Sequence, residues 1–127
     1  MSSTIQAIRG AIQIGTDDAD VIVERTARLL GEVIKHNGLS DEDIVSIMFT
    51  ATPDLTAAFP AAAARRLGLV SVPLMCAAEI AVPGALPRVV RLLAHVRTGR
   101  PRSAIRHVYL DGAEALRPDL ATAGADR

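Results

Sequence analysis

Apolar residues recur along the chain with two different periods, and the switches between them mark out the elements. Residues 4–14, TIQAIRGAIQI, are rich in isoleucine and carry no helical stripe. They predict a strand, with Gly10 marking a bend or a close backbone approach. A period of two puts Ile5, Ala7, Arg9 and Ala11 on one face. Residues 18–37 repeat at helical spacing through Val21, Ile22, Leu29, Leu30, Val33 and Ile34. Acids crowd the first turn of this helix, Lys35 and His36 the last, and Asn37-Gly38 supplies the stop. Ser40 to Asp43 reads as a capping box opening a short turn. Residues 44–51 predict a buried strand ended by Thr52-Pro53-Asp54. Pro60 suits the first turn of a second helix over 60–67, and Gly68 its end. Val70 to Ala78 predicts a third strand, and Pro83-Gly84 a turn. Val89, Leu92, Leu93 and Val96 predict a third helix over 86–98, with Arg88, Arg91 and His95 as a polar stripe opposite them. After a loop at Gly99-Arg100-Pro101, Ile105 to Leu110 alternates as a fourth strand. The predicted order is β-α-β-α-β-α-β. It implies an α/β (α+β) fold, a mixed sheet with covering helices.

Length and composition narrow this picture. At 127 residues the chain predicts a single domain over 1–120, with a flexible small-residue tail at 121–127. No apolar run approaches a membrane span, and the first residues lack the basic and long apolar stretches of a secretory signal. One cysteine, Cys76, excludes an intramolecular disulfide framework and a multi-cysteine zinc site, so a reducing, cytoplasmic setting is the simplest reading. Phe49, Phe59 and Tyr109 are the only aromatics. They are poor material for stacking bases, and they leave a small aliphatic core that favours support from other subunits.

Formal net charge is zero, which argues against general binding to nucleic acid or membrane. The distribution is uneven. Residues 1–54 carry nine acids and four bases, whereas residues 55–109 carry eight arginines and a single acid, Glu79. This basic half suits an anionic ligand or, equally, arginines scattered over a surface. His36, His95 and His107 show no metal-ligand spacing, Cys76 in an apolar strand reads as an inert buried thiol, and no nucleophile elbow or phosphate-binding glycine loop is present. What remains is arginine, one glutamate and one phenol, Tyr109, whose hydroxyl needs a partner in a buried strand. That inventory suits a small dianion bearing a hydroxyl better than a hydrolysis, which wants an activated water or nucleophile.

A set of short blocks in fixed order carries more. These are Ile8-Arg9-Gly10-Ala11, Ala51-Thr52-Pro53-Asp54-Leu55, Phe59-Pro60-Ala61, Val72-Pro73 followed by Cys76 and Glu79, then Arg91, Ile105 to Leu110, and Leu116-Arg117-Pro118-Asp119-Leu120. Over about residues 5 to 120 the chain resembles the small monofunctional chorismate mutases of the trimeric, pseudo-α/β-barrel type. The resemblance implies a homotrimer with sites in clefts between subunits. It implies rearrangement of chorismate to prephenate on the route to phenylalanine and tyrosine, with no cofactor or metal. It further implies that Arg91 contacts the ether oxygen and a carboxylate, and that Arg9 pairs with a carboxylate beside the Tyr109 hydroxyl. Glu79 and Cys76 would meet the ring hydroxyl. Phe59, Ala61 and Leu74 would form apolar walls, and Arg65, Leu116 and Arg117 would lie at the cleft mouth. The family pattern is departed from at Ala62, where a lysine is usual, at Met75, where a threonine is common, and in the apolar turn 81–85. A strand running through both Cys76 and Glu79 puts them on opposite faces, so joint contact with one hydroxyl requires the strand to end or bend between them. Two other readings compete: a RidA-like trimeric enamine or imine hydrolase, and a non-catalytic anion-binding module.

Overall fold

A computed structural model describes residues 3–117; the predicted tail at 121–127 and the Pro118-Asp119-Leu120 block lie outside them. The first strand, β1 (Thr4–Gln13), is followed by the long helix α1 (Ala19–His36) and then by β2 (Ile44–Ala51). A five-residue helix α2 (Ala62–Arg66) leads to β3 (Leu74–Ala78), and two further strands follow, β4 (Val89–Thr98) and β5 (Val108–Leu110). The sheet order is β3-β2-β4-β1-β5. β4 runs antiparallel to both β1 and β2, while β3 and β5 are parallel to their neighbours β2 and β1.

The local signals behave as their chemistry requires. Asp18 caps α1 by accepting the Val21 N–H at 3.1 Å. At the other end Asn37 is buried, and its amide donates to the Val33 and Arg106 carbonyls while its oxygen accepts the Arg106 N–H at 2.8 Å. This side chain ties the helix end to the approach of β5. Ser40 donates its N–H to the Asp43 carboxylate at 2.8 Å, the returning half of a capping box. Gly10 is where α1 crosses β1. A Cβ there would lie 3.2 Å from Leu29 Cδ1 and 3.3 Å from Val33 Cγ2, so the predicted close approach is of helix to strand.

The predicted third helix over 86–98 is instead the central strand β4. Its even positions, Val90, Leu92, Ala94 and Val96, are all buried, and its odd positions, Arg91, Leu93, His95 and Arg97, lie on the other face. Leu93 and Val89 complete a helical spacing that masks this alternation. Pairing on both edges, with β1 and β2, supplies backbone partners that outweigh local preference. The segments predicted as helix 60–67, strand 70–78 and strand 105–110 are shorter than their apolar runs, beginning at Ala62, Leu74 and Val108. The order is therefore β-α-β-α-β-β-β, still a mixed sheet with covering helices.

Both helices lie on one face. Ile22, Leu29, Leu30 and Val33 of α1 and Ala64 of α2 share one buried cluster with Ile8, Ile12, Phe49 and Leu92 of the sheet. Among the described residues the other face is covered only at one end, where Ala113 and Leu116 of the turn Ala113–Leu116 pack with Ala11, Val89 and Tyr109.

Candidate functional site

The strand register lines up the site. Ala77, Thr50, Arg91, Ala11 and Tyr109 pair across all five strands in one row, and residues directly opposite in a sheet share a face. That face carries neither α1 nor α2. The neighbouring row on it brings Met75, Met48, Leu93 and Arg9 together. Arg9, Thr50, Arg91 and Tyr109 accordingly line one shallow cavity of about 290 Å³.

Arg91 is held at one end only. Its Nε lies 3.2 Å from Glu79 Oε2, the Glu79 side chain being 15% exposed and that of Arg91 47%. Glu79 is placed by its own backbone, whose N–H donates to the Ala51 carbonyl at 2.9 Å just after β3 ends. The same Oε2 accepts the Thr50 hydroxyl at 2.6 Å. Among the described residues the terminal nitrogens of Arg91, the Arg9 guanidinium, the Tyr109 hydroxyl and Glu79 Oε1 have no hydrogen-bond or ion-pair partner. Arg9, Arg91 and Tyr109 are thus left with unengaged donors around one hollow, and Glu79, which lines an adjoining hollow that Arg91 shares, keeps one oxygen free.

The start of β4 sets where Arg91 falls. Arg88 has a positive φ of 52°, which a non-glycine residue adopts only under constraint. Its N–H donates to both Asp54 oxygens, at 3.0 and 3.2 Å, and its Nε to the Ile14 carbonyl at 2.7 Å. Thr52 donates its hydroxyl to Asp54 and accepts the Val89 N–H. The Thr52-Pro53-Asp54 block is therefore a clamp on β4, three residues ahead of Arg91. His107 Nδ1 accepts the Arg9 N–H at 2.9 Å and supports β1 at the site from the β5 side.

These observations decide the family once the chain is compared with known proteins. A family model for chorismate mutase type I matches residues 5–120. The chain belongs to the type I chorismate mutases. Chorismate mutase AroH of Thermus thermophilus is 48% identical over 120 residues, which cover 94% of this chain and 98% of that protein. Chorismate mutase AroH of Bacillus subtilis (strain 168) is 43% identical over 117 residues, covering 91% and 92%. A solved chorismate mutase from Clostridium thermocellum aligns with a TM-score of 0.86 at 50% identity, over 87% of this chain and 98% of its own. Neither the imine hydrolase nor the binding module is favoured by these matches.

Not every residue expected of a type I chorismate mutase gathers at the hollow. Cys76 pairs with the buried Phe49, and its side chain packs with Leu74 against the helix-side core. Within one chain Cys76 and Glu79 side chains therefore stay on opposite faces, although β3 does end between them at Ala78. Phe59 is 76% exposed and lines a separate apolar cavity of about 540 Å³ with Pro60, Cys76 and Ala77. Ala61 packs against the main core, and Arg65 is exposed on α2. Leu116 packs beside Tyr109, and Arg117 directly follows it, half-buried and engaged in a contact of its own. Thr50 was absent from the residues expected at the site. Its only sequence signal is a hydroxyl on the polar phase of a strand otherwise rich in Ile, Met and Phe. Among the described residues no group of three or more His, Cys, Asp or Glu could hold a metal, and no helix is long and apolar enough to cross a membrane.

Proposed function

We propose that the chain rearranges chorismate to prephenate, as a homotrimer whose sites are completed by neighbouring copies. The observation that carries this reading is the cavity that gathers Arg9, Arg91 and Tyr109 with unengaged donors, beside a Glu79 that anchors Arg91 by Nε. The reaction is an intramolecular [3,3] shift: an ether C–O bond breaks as a C–C bond forms, with no proton transfer and no nucleophile. A protein accelerates it by holding the compact conformer of a flexible dianion and by meeting the negative charge that grows on the ether oxygen. Arg91, with its terminal nitrogens free, meets the ether oxygen and one carboxylate. Arg9 and the Tyr109 hydroxyl hold a carboxylate, and the free Glu79 oxygen accepts from the ring hydroxyl.

One chain supplies the charged half of such a site, floored by Met48, Leu92 and Leu93, without the walls expected from Phe59, Ala61 and Leu74. The walls are on the same chain but elsewhere, in the Phe59 and Cys76 cavity at the β3 edge. Two unlike half-sites on one surface complement each other head-to-tail, and a closed ring of three uses each once per copy. In that arrangement Phe59, Ala61, Leu74 and Cys76 of one copy face Arg9, Glu79, Arg91 and Tyr109 of the next. Arg65, Leu116 and Arg117 lie at the mouth. The exposed Ile5, Met48 and Met75 on the face carrying neither α1 nor α2 support burial between copies. Incubating the purified chain with chorismate, without added metal, tests the activity: prephenate forms well above the uncatalysed rate. Conversion no faster than in buffer rejects the reading.

A further inference from the structure

We propose that Thr50 is a positioning residue for this site. Its hydroxyl, donated to one Glu79 oxygen, keeps the Glu79–Arg91 pair one-pronged and so leaves the other Glu79 oxygen and both terminal nitrogens of Arg91 for substrate. The inference rests on the proposed function and adds a residue to it. Thr50 sits directly opposite Arg91 in the β2–β4 register and lines the same cavity as Arg9 and Tyr109. Its hydroxyl is 2.6 Å from Glu79 Oε2, the oxygen that also faces Arg91 Nε at 3.2 Å.

Arginine and a carboxylate left to themselves prefer a two-pronged fork, with parallel N–H···O bonds to both oxygens. A fork here would engage Glu79 Oε1 and a terminal nitrogen of Arg91, the groups the reaction needs. A second donor on Oε2, beside Arg91 Nε, resists that rotation. Threonine is suited to the task because its branched Cβ restricts χ1 in a strand, so the hydroxyl is aimed rather than free to turn. Thr50 touches no reacting atom in this scheme; it acts through Glu79 and Arg91.

The test measures kcat and KM separately for Thr50→Val, which keeps the shape, and Thr50→Ser, which keeps the hydroxyl. Each is made in the unsubstituted and Glu79→Gln chains. Thr50→Val is expected to lower kcat about 10-fold, with KM within about threefold, on the scale of one lost hydrogen bond to a charged group. Thr50→Ser stays within about twofold of the parent. In the Glu79→Gln chain, Thr50→Val changes kcat by less than about twofold, because the ionised partner it acts through is gone. Thr50→Ala repeats the measurement should the valine methyl disturb folding. An equal loss in both backgrounds, or a serine variant as slow as valine, overturns the inference while leaving the proposed function standing. Absence of turnover by the unsubstituted chain overturns both.

Discussion

Phe49 and Met48 are neighbours on β2, yet one is fully buried and the other exposed, and the same division recurs along β4 and at Ile8 and Arg9 of β1. On the helix side, Ile8, Ile12, Phe49, Leu92 and Val96 meet Leu29, Leu30 and Val33 of α1, and the chain fills its own core. On the other side, apolar Ile5, Met48, Met75 and Leu93 alternate in rows with Arg9, Thr50 and Arg91, and little among the described residues covers them. The first face is filled within one molecule except at the β3 edge, where the Phe59 and Cys76 cavity opens. The second mixes exposed apolar area with the unpaired charge of Arg9, a combination that suits the site between copies proposed above.

Substitutions on the two faces should therefore separate folding from function. The largest expected effect is on the helix side: Phe49→Ala lowers unfolding stability by about 3–5 kcal/mol through the cavity it leaves, measured by denaturant titration. Its neighbour supplies the contrast. Met48→Lys leaves the far-ultraviolet dichroism unchanged but lowers the mass of the assembly by sedimentation; unchanged mass would argue that the open face is not shared between copies. Next, Arg91→Ala costs about 10²–10³-fold in kcat, the scale of one lost charge-stabilising donor, with little change in melting temperature. Gly10→Ala pushes a methyl against Leu29 and Val33 and should cost about 1–3 kcal/mol of stability by overpacking, again on the helix side.

The smallest effect concerns the loop leading to Phe59. Asp17 accepts the Thr56 hydroxyl and the Thr56 and Ala57 N–H groups. The Thr56 hydroxyl chiefly, helped by the two N–H groups against an opposite push from partial loss of water, holds its carboxyl below the usual range. A carboxyl depressed in the folded chain stabilises fully above its unfolded pKa, and that contribution is lost as pH falls through the folded value. Melting temperature against pH should thus lose part of its acid-side fall in Asp17→Asn. Superimposable profiles would remove Asp17 from the loop's support.

Much of this architecture could be read from the chain because its cause is local. Asp18 and Asn37-Gly38 bound α1 by chemistry confined to a few residues, and the alternation in β1 put Arg9 on one face with Ile5, Ala7 and Ala11 without any knowledge of its neighbours. The resemblance named Arg9, Glu79, Arg91 and Tyr109 together, and the strand register brings Arg9, Arg91 and Tyr109 to one cavity, with Glu79 on Arg91. β4 was misread for the opposite reason. Val89, Leu92, Leu93 and Val96 satisfy a helical period as well as a strand whose mostly polar face carries Leu93 among Arg91, His95 and Arg97, and only partners far along the chain distinguish them.

The sequence alone determined the helix α1, the strands β1 and β2, the turn at Thr52-Pro53-Asp54, the uneven charge and the family, because capping, alternation and motif order are written in adjacent residues. The tertiary structure decided that Arg91 rides a central strand rather than a helix, that Thr50 stands opposite it, and that Cys76 and Glu79 look to different sides. Those are facts of register between strands that lie tens of residues apart in the chain, and pairing across such distances is set by which whole arrangement buries the most apolar surface while satisfying every backbone group.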